Sequence, residues 1–133
     1  MNTAAENGTK GYRLASFIYD PVIERGMAPV RKKTLEISGL QPGDRVVDLC
    51  CGTGRLAELI AGTGAEVCGV ELSDFMFARA KMKEKPGVTF IQSDAAATGL
   101  PESSFDYAFT GFSLHEVARQ TSAGFLSEMR RAV

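Results

Sequence analysis

The sequence predicts an α/β fold with a parallel sheet, in one globular domain. Short apolar segments alternate with segments of helical periodicity, an order typical of strands joined by helical crossovers. Two glycines, Gly52 and Gly54, indicate a tight turn where the first strand passes into a helix. The 133 residues are 44% hydrophobic and 23% charged, a composition that suits a chain with a core of its own.

The first 42 residues are predicted to be a short tail and a helical cap. The tail is expected over residues 1–11 and the cap over residues 12–42. Its second helix should break near Gly26, restart at Pro29 and stop at Gly39, because proline suits the start of a helix and glycine its end. The predicted cap helices are 12–19 and 22–38.

Residues 43–133 are predicted to form the sheet and its helices. Apolar runs such as RVVDLC and VTFIQ have the length of buried strands. Leu56, Leu59 and Ile60 share one face of the first helix, and Ser73 can cap the second. The predicted strands are 45–50, 66–72, 88–92 and 105–112. The predicted helices are 55–62, 74–85 and 122–133, the last with Phe125, Leu126 and Met129 on one face.

Composition and charge exclude several classes of function. The net charge of −1 gives no sign of a nucleic-acid partner. No apolar run approaches the roughly 20 residues of a membrane span, and the first residues lack the layout of a secretory signal. Cys50, Cys51 and Cys68 fall in or beside predicted buried strands and are expected to be small, reduced, apolar side chains in a cytoplasmic protein. With one histidine, a metal site is not expected.

Acidic residues are predicted to gather at one edge of the sheet. Ligands of such sheets bind beyond the carboxyl ends of the strands, near the point where strand order reverses. Asp48 lies near the end of strand one, Glu71 near the end of strand two, and Asp94 just after strand three. His115, the single histidine, follows strand four. These four residues are therefore candidates for a site.

The turn GTGRLA fits the dinucleotide pattern G-x-G-x-x-G/A, with Glu71 placed 19 residues after Gly52 to accept ribose hydroxyls. That pattern leaves open a nicotinamide cofactor or another adenosine ligand. Asp48 separates them, since a pyrophosphate beside this carboxylate would meet repulsion in a poorly screened site. S-adenosylmethionine has adenosine, no phosphate, and a cationic ammonium and sulfonium. Asp48 can accept its ammonium, and Asp94 its adenine amine.

Residues 46–116 resemble the first half of a class I S-adenosylmethionine-dependent methyltransferase. The matching segments are VVDLCCGTGRLA, VCGVELSDFMFARAK, VTFIQSDAAATGLPESSFD and YAFTGFSLHEV. Within that superfamily they are similar to the small-molecule group of ubiquinone/menaquinone-pathway and phospholipid N-methylating enzymes. The resemblance implies a Rossmann-like sheet of strands 1–4 in the order 3-2-1-4, and S-adenosyl-L-methionine as cofactor.

The resemblance also implies residue roles. It assigns Glu71 to the ribose, Asp94 to the adenine amine, and Leu72 and Ala95 to the walls of the adenine slot. Cys50 stands where the family's first glycine usually is, so its side chain must turn away from the ligand. The predicted cofactor-binding residues are Asp48, Cys50, Gly52, Gly54, Glu71, Leu72, Asp94, Ala95 and Thr110.

The expected function is methyl transfer to a small-molecule acceptor. His115 is the candidate base, and Tyr12 and Tyr19 are candidates for the substrate side of the cap. A non-catalytic association module with this fold and a nicotinamide-dependent oxidoreductase are the alternatives. Family members continue into three further strands, so the strand at 105–112 is expected to be an exposed edge. Association into a homodimer or larger assembly through residues 105–133 is therefore predicted.

Overall fold

The computed structural model describes residue 22, residues 25–111 and residues 119–133. The chain divides into two compact units, Met1–Gly39 and Leu40–Val133. The predicted helix at 12–19 lies outside the described residues.

Helix α1 covers residues 25–38 of the first unit without interruption. The predicted break near Gly26 and restart at Pro29 are therefore wrong. Glycine costs a helix only about 1 kcal/mol relative to alanine, which is too little to interrupt it. The predicted stop is confirmed, since Gly39 follows the helix with a φ of 74°, a value that glycine adopts without strain.

The second unit contains a four-stranded sheet in which all named strands are parallel. The strands are β1 (Arg45–Leu49), β2 (Glu66–Glu71), β3 (Val88–Gln92) and β4 (Tyr107–Thr110). Their spatial order is β3-β2-β1-β4. The predicted α/β class and the order 3-2-1-4 are both confirmed.

The helices of this unit are α2 (Arg55–Ala61), α3 (Asp74–Lys81) and α4 (Arg119–Ala132). As predicted, Ser73 caps α3, and its side chain accepts a hydrogen bond from the Met76 backbone N–H. Helix α3 is shorter than the predicted 74–85. Lys85 instead forms an isolated bridge with Val88, and the residue before Pro86 is sterically disfavoured in a helix.

Strand β4 is also shorter than the predicted 105–112. Phe105 donates its backbone N–H to the carbonyl of Ala132, at the end of α4, over 3.1 Å. That hydrogen bond takes Phe105 out of the ladder with β1, so the strand begins at Tyr107.

The core on the α4 side of the sheet contains Val47, Leu49 and Val70 packed with Ala95 and Phe125. Phe125 is 1% exposed, and burial of such a side chain contributes about 1.5–3 kcal/mol. Side chains alternate between the faces of a strand. Asp48 therefore points to the opposite face from Val47 and Leu49.

A buried acid joins α4 to the connection between β3 and β4. Glu128 accepts hydrogen bonds from the backbone N–H and the hydroxyl of Thr98, at 3.2 and 2.5 Å. Arg131 donates to the same carboxylate, with 2.8 Å between its Nε and Oε2, and to the carbonyl of Leu100. Hydrogen bonds from Arg131 and then Thr98 lower the pKa of Glu128 to about 2.

Candidate functional site

The carboxyl ends of the four strands meet along one edge of the sheet. Leu49 pairs with Val70 on one side and Thr110 on the other, and Glu71 pairs with Gln92. Asp48 and Glu71 lie within this end of β1 and β2, and Asp94 follows β3 by two residues. The structure thus brings the three predicted acids to the same edge.

Asp48 is 1% exposed, although a carboxylate taken out of water is costly without compensating interactions. Its neighbours in register are Gly69 on β2 and Phe109 on β4. Because paired residues of parallel strands point to the same face, Asp48 lies on the same side of the sheet as Phe109. Asp48 is therefore a buried acid near the carboxyl end of an inner strand, rather than a surface charge.

The turn after β1 has three left-handed residues, Cys50, Gly52 and Gly54, with φ values of 56°, 58° and 81°. Glycine adopts this conformation freely, whereas for another residue it costs about 1–2 kcal/mol. Cys50 packs against the core cluster that contains Leu49 and Phe125. Its backbone is therefore left-handed, as at a glycine, while its side chain contacts the core.

Glu71 is held by backbone donors from two different segments. Gly52 donates to its Oε2 over 2.8 Å, and Ser73 donates to its Oε1 over 2.9 Å. Each carboxylate oxygen can accept a second hydrogen bond. Glu71 therefore ties the turn after β1 to the end of β2 and keeps acceptor capacity for a ligand.

The ring of Phe90 lies under the turn, a feature that the sequence reasoning missed. A Cβ built on Gly54 would lie 2.7 Å from its Cζ, and a Cβ built on Gly69 would lie 2.5 Å from its Cδ1. Neither glycine can therefore carry a side chain while the ring keeps its position. The glycine inside the strand at position 69 was the available signal, because such a glycine often marks a close approach.

The two predicted slot residues differ in environment. Leu72 is 62% exposed just after β2, whereas Ala95 is 9% exposed and belongs to the core on the α4 side. Gln92 donates its Nε2 to the Leu72 carbonyl over 3.3 Å and also to the carboxylate of Asp74. The backbone at Leu72 is thus fixed while its side chain faces solvent.

Asp94 is exposed, and its Oδ1 accepts the backbone N–H of Ala96 over 2.8 Å. It therefore shapes a turn, a common role of aspartate at such positions. Thr110 lies beside Leu49, with a buried hydroxyl oxygen that has no hydrogen-bond partner among the described residues. His115, Tyr12 and Tyr19 lie outside the described residues.

The cysteines and the other acids do not form a metal centre in the described part of the chain. Cys50, Cys51 and Cys68 are free thiols. Burial raises the pKa of Cys51, and the nearby charges of Asp48 and Glu71 raise it further. The thiol of Cys51 therefore remains protonated beside the turn. Across the residues with described positions, none of the helices has the length and apolar character needed to cross a membrane.

A family model described as a methyltransferase domain matches residues 46–133. The chain belongs to the methyltransferase domain family. S-adenosylmethionine is the cofactor that this membership indicates. The predicted family and cofactor are confirmed at this level, and the membership gives no support to a nicotinamide-dependent oxidoreductase.

Two relatives of this methyltransferase domain are named for quinone substrates. A demethylmenaquinone methyltransferase from Beutenbergia cavernae is 35% identical over 101 residues, covering 76% of this chain and 41% of its own length. A 2-phytyl-1,4-naphtoquinone methyltransferase from Synechocystis is 34% identical over 104 residues, covering 72% and 43%.

The crystal structure of an S-adenosylmethionine-dependent methyltransferase from Mesorhizobium loti superposes with a TM-score of 0.66 at 31% identity, covering 80% of this chain and 48% of that one. The chain therefore spans less than half the length of these three proteins.

Proposed function

We propose that the chain binds S-adenosylmethionine at the edge formed by the ends of β1, β2 and β3, and that it transfers the methyl group to a small molecule. The observation that carries this proposal is the carboxylate of Glu71, which is fixed by Gly52 and Ser73 and retains free lone pairs. Two vicinal hydroxyls of a ribose match such a bidentate acceptor.

The other predicted residues fit around this anchor. The buried carboxylate of Asp48 suits a cationic ammonium, because opposite charges attract strongly where water is excluded. Asp94 has an exposed carboxylate that can accept the adenine amine. Leu72 offers an apolar surface for one side of the adenine, whereas Ala95 contributes mainly through the core beneath it.

The chemistry asked of the chain is mainly positioning. The sulfonium of the cofactor supplies an activated methyl group and a good leaving group, S-adenosylhomocysteine. An acceptor nucleophile has to be held in line with the breaking carbon–sulfur bond, and such alignment accounts for a large part of the rate. His115 stays a predicted base, needed for an acceptor that must lose a proton.

The acceptor class we propose is a small aromatic quinol, which rests on the names of the two quinone methyltransferases. Calorimetric titration with S-adenosylhomocysteine and, separately, with NAD tests the cofactor. Release of labelled methyl from S-adenosylmethionine onto a quinol tests the reaction. Binding of S-adenosylhomocysteine without any methyl transfer would favour the non-catalytic association module.

Association of two copies through residues 105–133 also stays a prediction. Strand β4 pairs only with β1 among the described strands, and Leu126 on α4 is 53% exposed. Phe125, by contrast, is buried and cannot belong to that surface. Light scattering on the wild type and on Leu126→Glu tests it, and a wild-type monomer would contradict it.

A cytoplasmic location is proposed from the three free thiols.

A further inference from the structure

Lys83 makes a hydrogen bond into the turn that follows β1. Its ammonium donates to the backbone carbonyl of Thr53, with 2.5 Å between Nζ and O. Thr53 lies between Gly52 and Gly54, and it is 30 residues away from Lys83 in the chain. The bond therefore connects the segment that follows α3 to the turn after β1, and no local sequence pattern accounts for it.

The packing around Gly54 brings Lys83 within reach. A Cβ at Gly54 would lie 3.4 Å from the Cβ of Ala80, so the last turn of α3 approaches the loop closely. Lys83 then follows in a turn in which its backbone N–H donates to the carbonyl of Ala80 over 2.8 Å. The lysine side chain crosses the short remaining distance to the Thr53 carbonyl.

The turn is thus held by two side chains of opposite charge, Glu71 and Lys83, which bind the backbone of the adjacent residues Gly52 and Thr53. The carboxylate of Glu71 accepts the N–H of Gly52, and the ammonium of Lys83 donates to the C=O of Thr53. The Thr53 carbonyl shares its peptide group with the N–H of Gly54, which donates to the Cys51 carbonyl over 3.0 Å. A cation on the carbonyl polarises this peptide and strengthens the second hydrogen bond.

We propose that Lys83 is a positioning residue for cofactor binding, an inference that rests on the proposed function. It does not act on the cofactor directly. It orients the Thr53–Gly54 peptide before the cofactor arrives, so that less ordering of the turn is needed during binding. Preorganisation of this kind raises affinity without adding a contact to the ligand.

The test compares Lys83→Met, Lys83→Arg and Lys85→Met by calorimetric titration with S-adenosylhomocysteine. Lys85 is exposed and two residues away, so it controls for the loss of one positive charge in this segment. We expect Lys83→Met to bind about tenfold more weakly, in line with loss of a charge-assisted hydrogen bond. Lys83→Arg should recover most of the affinity, and Lys85→Met should bind like the wild type.

A spectroscopic readout separates positioning from general stabilisation. In the ligand-free protein, the amide resonances of Gly52 and Gly54 should shift in Lys83→Met and stay in place in Lys85→Met. Equal affinity of the wild type and Lys83→Met, or no recovery of affinity in Lys83→Arg, would overturn the inference about Lys83 and leave the proposed function standing. Failure of the wild type to bind S-adenosylhomocysteine would contradict the proposed function instead. Lys83→Gln replaces Lys83→Met if circular dichroism shows the latter to be unfolded.

Discussion

Glu71 and Gly52 are joined by a hydrogen bond of 2.8 Å from a backbone N–H to a carboxylate oxygen, across 19 residues of chain. The second oxygen of Glu71 accepts the N–H of Ser73. One side chain therefore determines the relative positions of two segments that both follow strands. Any change at Glu71 therefore acts on the shape of the turn as well as on the contact with ribose that we propose.

Glu71→Gln is expected to weaken S-adenosylhomocysteine binding by about 1–3 kcal/mol. The amide replaces one acceptor oxygen with an NH₂ group, which faces a backbone N–H and cannot accept from it. Titration calorimetry measures the loss. Glu66→Gln, at the exposed start of the same strand, is the control and should bind normally. Equal affinities of the two variants would refute the role of Glu71.

The variant Asp94→Asn distinguishes the role of Asp94 in the turn from its proposed role in binding the ligand. The asparagine oxygen can still accept the N–H of Ala96, so the fold of the turn should persist. Its NH₂ group would face the adenine amine, and two donors repel each other. We expect binding to weaken by about 1–3 kcal/mol while the thermal midpoint changes little. A normal affinity would leave Asp94 only its turn-forming role.

Glu128 should make the free energy of unfolding depend on pH between about 4.5 and 2. The pKa of Glu128 falls from 4.5 to about 2 on folding. As the pH is lowered, Glu128 therefore binds a proton in the unfolded chain before it does so in the folded chain. The stabilisation is full above pH 4.5 and declines as the pH falls toward 2. Urea unfolding between pH 5 and pH 2.5 should show a shallower decline for Glu128→Gln than for the wild type. An equal decline in the wild type and in Glu128→Gln would contradict this pH dependence.

The variant Cys50→Gly should have a larger free energy of unfolding than the variant Cys50→Ala. Both substitutions remove the sulfur that packs against the core, but only glycine relieves the left-handed backbone, with its φ of 56°. We expect the glycine variant to exceed the alanine variant by about 1 kcal/mol in free energy of unfolding. Urea denaturation measures this difference. Equal stabilities would show that the conformation carries no strain.

The residue pattern was sufficient for the parallel sheet and for the edge on which the acids gather, whereas the strand order was implied by the family resemblance. Apolar runs separated by helical segments determine a parallel sheet, and Asp48 and Glu71 lie at the ends of their strands. The left-handed conformation of Cys50 was not predicted, because no residue type other than glycine signals it reliably. The hydrogen bonds from Lys83 to Thr53 and from Thr98 to Glu128 join elements whose proximity depends on packing, which local patterns do not encode.

The ring of Phe90 under Gly54 and Gly69 limits the order in which these positions can change during evolution. Alanine at Gly69 would collide with the ring and would also lie 2.9 Å from the Sγ of Cys51, so it becomes acceptable only after smaller residues have replaced both Phe90 and Cys51. Gly54 gains less from that replacement, because its φ of 81° disfavours any side chain even in open space. Smaller residues at positions 90 and 51 together thus make a side chain possible at position 69, whereas position 54 still requires glycine.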